Sequence, residues 1–326
     1  MLARLFAVAL CFVGCAAGSM PSAAAETYPS KPVRIILPFP PGGPGDIFTR
    51  LLAESLRETL GQPFIVDYRP GATGIIGSTQ AANAAPDGYT LLFAPTSSHV
   101  IAPLLRNPQP YDPLKNFVPL SMILTFPFYL IVNNDLPVKT VSELVALAKS
   151  KPGTLNFGTI GIGSGNHLIN EIFKARAGID TTHVPYPGVA ATQKALIGGE
   201  VQYIFDSIGP SRPLVNAGRM RGIAITGRER SRLLPDTPTL EEAGYPGFDQ
   251  VIWFGVFAPA GTPKAIAEKL EKAIIAFAQR PEIIQRIVEF GATPVASTTE
   301  QFTAHIAREQ PMWREVITSN NIQLNN

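Results

Sequence analysis

Cysteine is almost missing from this chain. Among 326 residues only Cys11 and Cys15 occur, both within an apolar leader. Beyond that leader the sequence excludes disulfides, thiolate nucleophiles and Cys-ligated metals. Charge is also sparse. Asp, Glu, Lys and Arg make up 16% of the residues, and the formal net charge is +2. Without a Lys/Arg cluster this argues against nucleic acid or an anionic membrane as partner. No stretch after the leader reaches the roughly 20 apolar residues of a membrane helix. The four histidines, His99, His167, His183 and His305, lack metal-ligand spacing. Low-complexity segments and repeats of fixed period are missing too.

What is present starts with an expected export signal, residues 1–25. Arg4 is its only charge, Leu5 to Val13 is apolar, and Ala23-Ala24-Ala25 offers small residues for cleavage. Lipid attachment at Cys15, after Gly14, is an alternative, although Phe12 fits poorly the small aliphatic usually found three residues earlier. Residues 26–326 then correspond to two domains at about 150 residues each.

The chain is organised around Pro38 to Asp46, reading PFPPGGPGD. The apolar run Val33 to Leu37 enters it as a strand. A helix leaves it, with Phe48, Leu52, Leu56 and Leu60 at steps of four beside Ile47 and Leu51. A helix start leaves backbone N–H groups unpaired, and with the positive end of the helix dipole they favour an anion. Gly42 and Gly43 allow a close backbone approach. The plain alternative is a strand-to-helix connector.

Two further strand–loop–helix units follow, with strands at Phe64 to Asp67 and Tyr89 to Ala94. Their loops are Arg69 to Gly74 and Pro95 to His99. Successive βα units imply a parallel sheet whose loops gather outside the carboxyl ends of the strands. A proline-rich irregular segment, Pro103 to Pro119, separates them from a strand at Phe128 to Val132. Thr140 to Glu143 forms a capping box, and Leu155 to Thr159 leads into the loop GIGSGNH and a helix burying Leu168, Ile169, Ile172 and Phe173. Strands at Val184 to Tyr186, Val201 to Phe205 and Gly222 to Thr226 complete this second unit, with a helix near Thr192 to Ile197. Val251 to Phe257 is one more strand, and Thr262-Pro263 reads as an N-cap with proline at the first helical position. Three closing helices are expected to pack back on the first sheet. The expected division is 26–127 with 251–326 as lobe 1, and 128–250 as lobe 2.

The GIGSGNH loop resists several catalytic readings. Asn166 stands where a dinucleotide fingerprint needs its third glycine. No Gly-Lys-Ser/Thr follows, and Ile162 and Asn166 break the G-x-S-x-G elbow around Ser164. What remains is an anion-facing loop that mirrors Pro38 to Asp46. A Ser164, His167, Asp206 triad is conceivable, and a periplasmic hydrolase using Ser164 is the catalytic alternative. Asp206 reads better as a ligand contact or helix cap, and Asp46 equally as a first-turn carboxylate.

The stretches YPSKPVRIILPFPPGGPGDI, LGQPFIVDYRPGATGIIG, APDGYTLLFA, LNFGTIGIGSGNHL, HVPYPG and WFGVFAPAGTP resemble, in order and spacing, the periplasmic solute-binding proteins of tripartite tricarboxylate transporters, the Bug proteins. The resemblance implies an α/β two-lobed Venus-flytrap fold, each lobe a mostly parallel sheet flanked by helices. It implies a periplasmic, non-catalytic monomer without cofactor or metal that closes on a small carboxylate and delivers it to membrane permease subunits; a ligand-sensing receptor partner is the other binding alternative. Di- and tricarboxylates, acidic amino acids and aromatic acids are ligands in the family. Carried over by position, the implied contacts are Phe39, Gly42, Gly43 and Asp46; Thr73, Gly74, Thr96 and Ser97; and Gly161, Ser164, His167, Tyr186 and Asp206. Two departures stand out: Pro187 replaces a usual Lys or Arg after VPY, and Gly45 replaces a frequent Thr. Less positive charge near the cleft favours a monocarboxylate or aromatic acid over citrate.

Overall fold

In the computed structural model, which describes residues 28–319 and 322, a strand enters the first loop from a fully packed sheet. The expected export signal and both cysteines lie outside the described residues. In chain order the elements are β1 (Val33–Leu37), α1 (Pro44–Leu60), β2 (Phe64–Tyr68), α2 (Ile75–Ala82), β3 (Thr90–Pro95), α3 (Ala102–Leu104), β4 (Phe117–Val132), α4 (Val141–Ser150), β5 (Asn156–Thr159), α5 (Gly165–Ala177), β6 (Thr182–Pro185), α6 (Val189–Ile197), β7 (Tyr203–Ser207), α7 (Ile208–Asn216), β8 (Arg221–Ile225), β9 (Val251–Pro259), α8 (Lys264–Ala278), α9 (Pro281–Glu289), β10 (Thr293–Pro294) and α10 (Thr299–Ser319).

Two half-sheets share one strand. In the first, β2, β1 and β3 run parallel and β9 lies antiparallel beside β3. In the second, β7, β5 and β6 run parallel. β4 joins them: it pairs antiparallel with β9 from Phe117 to Pro127, then with β7 and β8 from Phe128 onward. The sequence reading starts this strand at Phe128 after an irregular Pro103 to Pro119, whereas the strand runs from Phe117. Pro119 is accommodated where the register against β9 shifts, between Pro119 and Ser121, and Pro127 where β4 leaves β9 for β7 and β8, as expected for strand prolines at irregularities.

The closing helices divide their packing. On α8, Leu270, Ile274 and Phe277 join Phe48, Leu52 and Leu56 of α1 in one core beneath the first half-sheet. On α10, Phe302, Ile306 and Trp313 join a core that also holds Leu168 and Phe173 of α5, so this helix spans both halves. Thr140 and Glu143 form the expected capping box. Thr262 differs from expectation: Pro263 occupies the N-cap of α8, and the Thr262 hydroxyl donates to the Pro259 carbonyl (2.8 Å).

Behind β9, the Trp253 indole N–H donates to Glu309 Oε2 of α10 at 2.7 Å. Burial pushes the Glu309 carboxyl up to about 7, against the lowering effect of that bond. Where β4 changes partners, Phe128 N–H donates to Thr226 Oγ1 and Thr226 N–H to Phe128 O, both at 2.8 Å. Replacing the buried hydroxyl in Thr226→Val leaves the Phe128 amide unpaired. We expect a loss of about 1–3 kcal/mol, read as a lower urea midpoint with an unchanged m-value.

Candidate functional site

A cavity of about 940 Å³ opens between the two halves in front of β4 and β9. Of the residues named from the sequence, Phe39, Gly43, Asp46, Thr73, Ser97, Ser164 and Asp206 line it. Gly42, Gly74, Thr96, Gly161, His167 and Tyr186 stand outside that lining and fasten its walls. Thr96 Oγ1 accepts the Trp253 N–H (3.0 Å), tying the β3 loop to β9. Gly74, in the left-handed region at φ 87°, packs so close to Ser98 that a Cβ would fall 2.5 Å from the serine Cβ. Tyr186 turns outward, its hydroxyl donating to Glu200 Oε2 (3.3 Å).

Three helices begin at this cavity: α1 after Gly43, α5 after Ser164 and α7 after Ser207. None of the three has a side-chain cap. The Ser164 hydroxyl, although at the cap position, lies 2.5 Å from the Gly161 carbonyl and 2.6 Å from Asn166 Oδ1. It therefore leaves the first amides of α5 open. Neither α5 nor α7 carries an acid in its first turn, so the positive ends of both dipoles face the cavity. The α7 helix is absent from the sequence reading; it carries Pro210 in its first turn and Pro213 in its interior.

The carboxylates of the lining are already engaged. Asp46 accepts from the Tyr68 hydroxyl (2.6 Å) and Gly42 N–H (2.9 Å), and Arg50 lies 3.2 Å away. Burial raises its pKa, but these bonds and the arginine more than offset that, and the group sits below the usual carboxylate range. Asp206 accepts from Ser207 N–H (2.7 Å), Gln193 Nε2 (2.8 Å) and the Ser211 hydroxyl (2.8 Å). Here burial dominates and its pKa is raised. Both act as loop fasteners, each holding a helix start in place.

Several lining residues escaped the sequence reading. Phe126 and Phe128 come from β4, Ile252 from β9, and Arg286, Glu289 and Phe290 from the end of α9; Phe254 of β9, which the sequence reading takes as core or as a hinge residue beside the cleft, lines the cavity with them. Trp253, between Ile252 and Phe254, points away and is fully buried. On the opposite face of the same strands a second cavity, about 650 Å³, is lined by Arg228, Arg230, His305 and Arg308 among others. There Arg228 pairs with Asp249 and Arg230 with Glu242.

The serine–histidine contact of a hydrolase is not formed. His167 Nδ1 instead accepts the Gly163 N–H (3.1 Å), and its ring stacks on His183 at 4.0 Å. Burial lowers the His167 pKa to about 3 and that of His183 to about 4, helped for His167 by the neighbouring imidazole. Both values lie below the unfolded one of about 6.5. The stability this gives is therefore complete above pH about 6.5 and is lost as pH falls through 4 towards 3. We expect the unfolding free energy to fall below pH 6.5, with His167 contributing up to about 1.4 kcal/mol per pH unit. In His167→Gln the slope should be shallower, as measured by urea melts at pH 7, 6 and 5.

The sequence profile described as "Tripartite tricarboxylate transporter family receptor" matches residues 48–322. Protein BugT of Bordetella pertussis is 36% identical over 324 residues, 99% of each chain. An R. palustris protein solved with adipate shares 34% identity and superimposes with a TM-score of 0.76 over 91% of this chain and 99% of its own. The periplasmic binding protein BugD shares 33% identity, with a TM-score of 0.72 over 91% and 99% of the two chains. The chain therefore belongs to the tripartite tricarboxylate transporter receptor family, as a two-lobed solute-binding protein and not an enzyme.

Proposed function

We propose that this protein captures a small organic carboxylate in the periplasm and hands it to the membrane permease of a tripartite tricarboxylate-type transporter. The observation that carries this reading is the convergence of three uncapped helix starts, from α1, α5 and α7, on one cavity. Amides aimed at a common point, each backed by a helix dipole, hold a carboxylate without an arginine or lysine. The adipate held by the R. palustris relative is of the same chemical class.

On this reading residues 26–127 with 251–326 form one lobe and 128–250 the other, hinged where β4 and β9 cross. Closure brings Phe39, Gly43, Thr73 and Ser97 towards Ser164 and Asp206 across the ligand. Gly42, Gly74, Thr96, Gly161, His167 and Tyr186 hold the loops in shape, and Asp46 keeps the first loop folded. The ligand is retained because it binds the closed arrangement better than the open one.

Ser164→Asp tests the amide site directly. An aspartate at this N-cap satisfies the α5 amides within the chain, adding about 0.5–2 kcal/mol of stability, while its charge repels the ligand. We expect a higher melting midpoint and at least tenfold weaker carboxylate binding by calorimetry. In the unaltered protein a bound carboxylate at 100 times its Kd should stabilise by about 2.7 kcal/mol. Binding undiminished in Ser164→Asp would overturn the reading.

A further inference from the structure

Resting on the carboxylate reading above, we propose that the cleft selects an aromatic monocarboxylate of the benzoate class over aliphatic di- and tricarboxylates. Five phenylalanines from four parts of the chain line one cavity: Phe39, Phe126, Phe128, Phe254 and Phe290. Their rings are braced from behind. Phe254 stacks on Phe93 (5.7 Å) and meets Phe126 edge-on (5.9 Å), while Phe290 meets Phe48 edge-on (5.5 Å). Rings fixed in this way offer faces and edges to a further ring, which aromatic pairs prefer in offset or T-shaped contact.

These rings sit directly against the amide donors. At Gly45, in the first turn of α1, a Cβ would lie 3.2 Å from a ring carbon of Phe254. At Gly165, the first residue of α5, a Cβ would fall 2.5 Å from Ile252 Cδ1 and 3.2 Å from the Phe128 ring. The two glycines let each helix start abut an apolar side chain of the hinge strands. A carboxylate seated on the amides thus has its first carbon atoms pressed against aromatic and aliphatic groups.

Charge points the same way. Among the lining residues Arg286 is the sole Arg, Lys or His, against Asp46, Asp206 and Glu289. Its side chain is 51% exposed and already lies 3.3 Å from Glu289. A second ligand carboxylate would be stripped of water among phenylalanines with no unengaged cation to receive it. An uncharged ring in that position loses nothing.

The test is calorimetric titration of the purified protein with benzoate, phenylacetate, adipate, L-malate and benzamide. Benzoate or phenylacetate should bind at least tenfold tighter than adipate and malate, a difference of about 1.4 kcal/mol, and benzamide should not bind. Phe254→Leu and Phe126→Leu, each verified as folded by its melting midpoint, should weaken the aromatic acids at least fivefold and adipate by a clearly smaller factor. Gly45→Thr, which displaces the Phe254 ring and adds a hydroxyl, should narrow the preference. Adipate or malate binding as tightly as the aromatic acids, or equal losses of both classes in the leucine variants, would overturn the aromatic selection and leave the carboxylate reading standing. Benzamide matching benzoate, or no response to any of the four acids, would overturn both.

Discussion

A helix cannot satisfy all of its own first amides, and three helices of this molecule start at one space without a side-chain cap; of these only α5 has no proline in its first turn. The parallel strands of each half end at the same side, so the turns that follow them, and the helices those turns start, converge by topology. Everything else at the cleft serves that placement. Asp46, with Tyr68 and Gly42 around it, and Asp206, with Gln193 and Ser211, spend their carboxylates on holding the turns, Asp206 also taking the Ser207 amide at the start of α7.

The shared strand β4 and its neighbour β9 impose the second constraint. Side chains alternate along β4 and β9, so Phe126, Ile252 and Phe254 face the cleft while Thr125 and Trp253 face away. Trp253 is in turn fixed to Glu309 of α10. The two strands therefore carry unlike faces, one lined by rings and the other by arginines and buried polar groups.

Much of this was legible in residue order. Apolar runs ending in glycine or polar turns marked β1, β3 and β5, and the spacing of Leu168, Ile169, Ile172 and Phe173 marked the buried face of α5. The loops Pro38 to Asp46 and Gly161 to Asn166 were recognisable as a pair because each joins a strand to an amphipathic helix. The rest was hidden for physical reasons. Proline argues locally against strand and helix, yet a register shift against β9 absorbs Pro119, Pro127 falls where β4 changes partners, and α7 tolerates Pro213. Periodicity reveals which face of a helix is buried, so α9 was readable through Ile283 and Ile287. It is silent about which exposed residues, Arg286 and Glu289 here, look into a cleft made by distant segments. The match of Gly45 to Phe254 is likewise a contact between positions two hundred residues apart.

Main-chain donors and side-chain walls divide the labour at this cleft. The amides at the starts of α1, α5 and α7 belong to the backbone, and only a change to proline, the residue already present at Pro44 and Pro210, removes one. The phenylalanine walls are side chains, each replaceable alone. A lineage can therefore drift from one acid to another by exchanging rings for smaller or polar groups, while the feature that greets negative charge is inherited untouched.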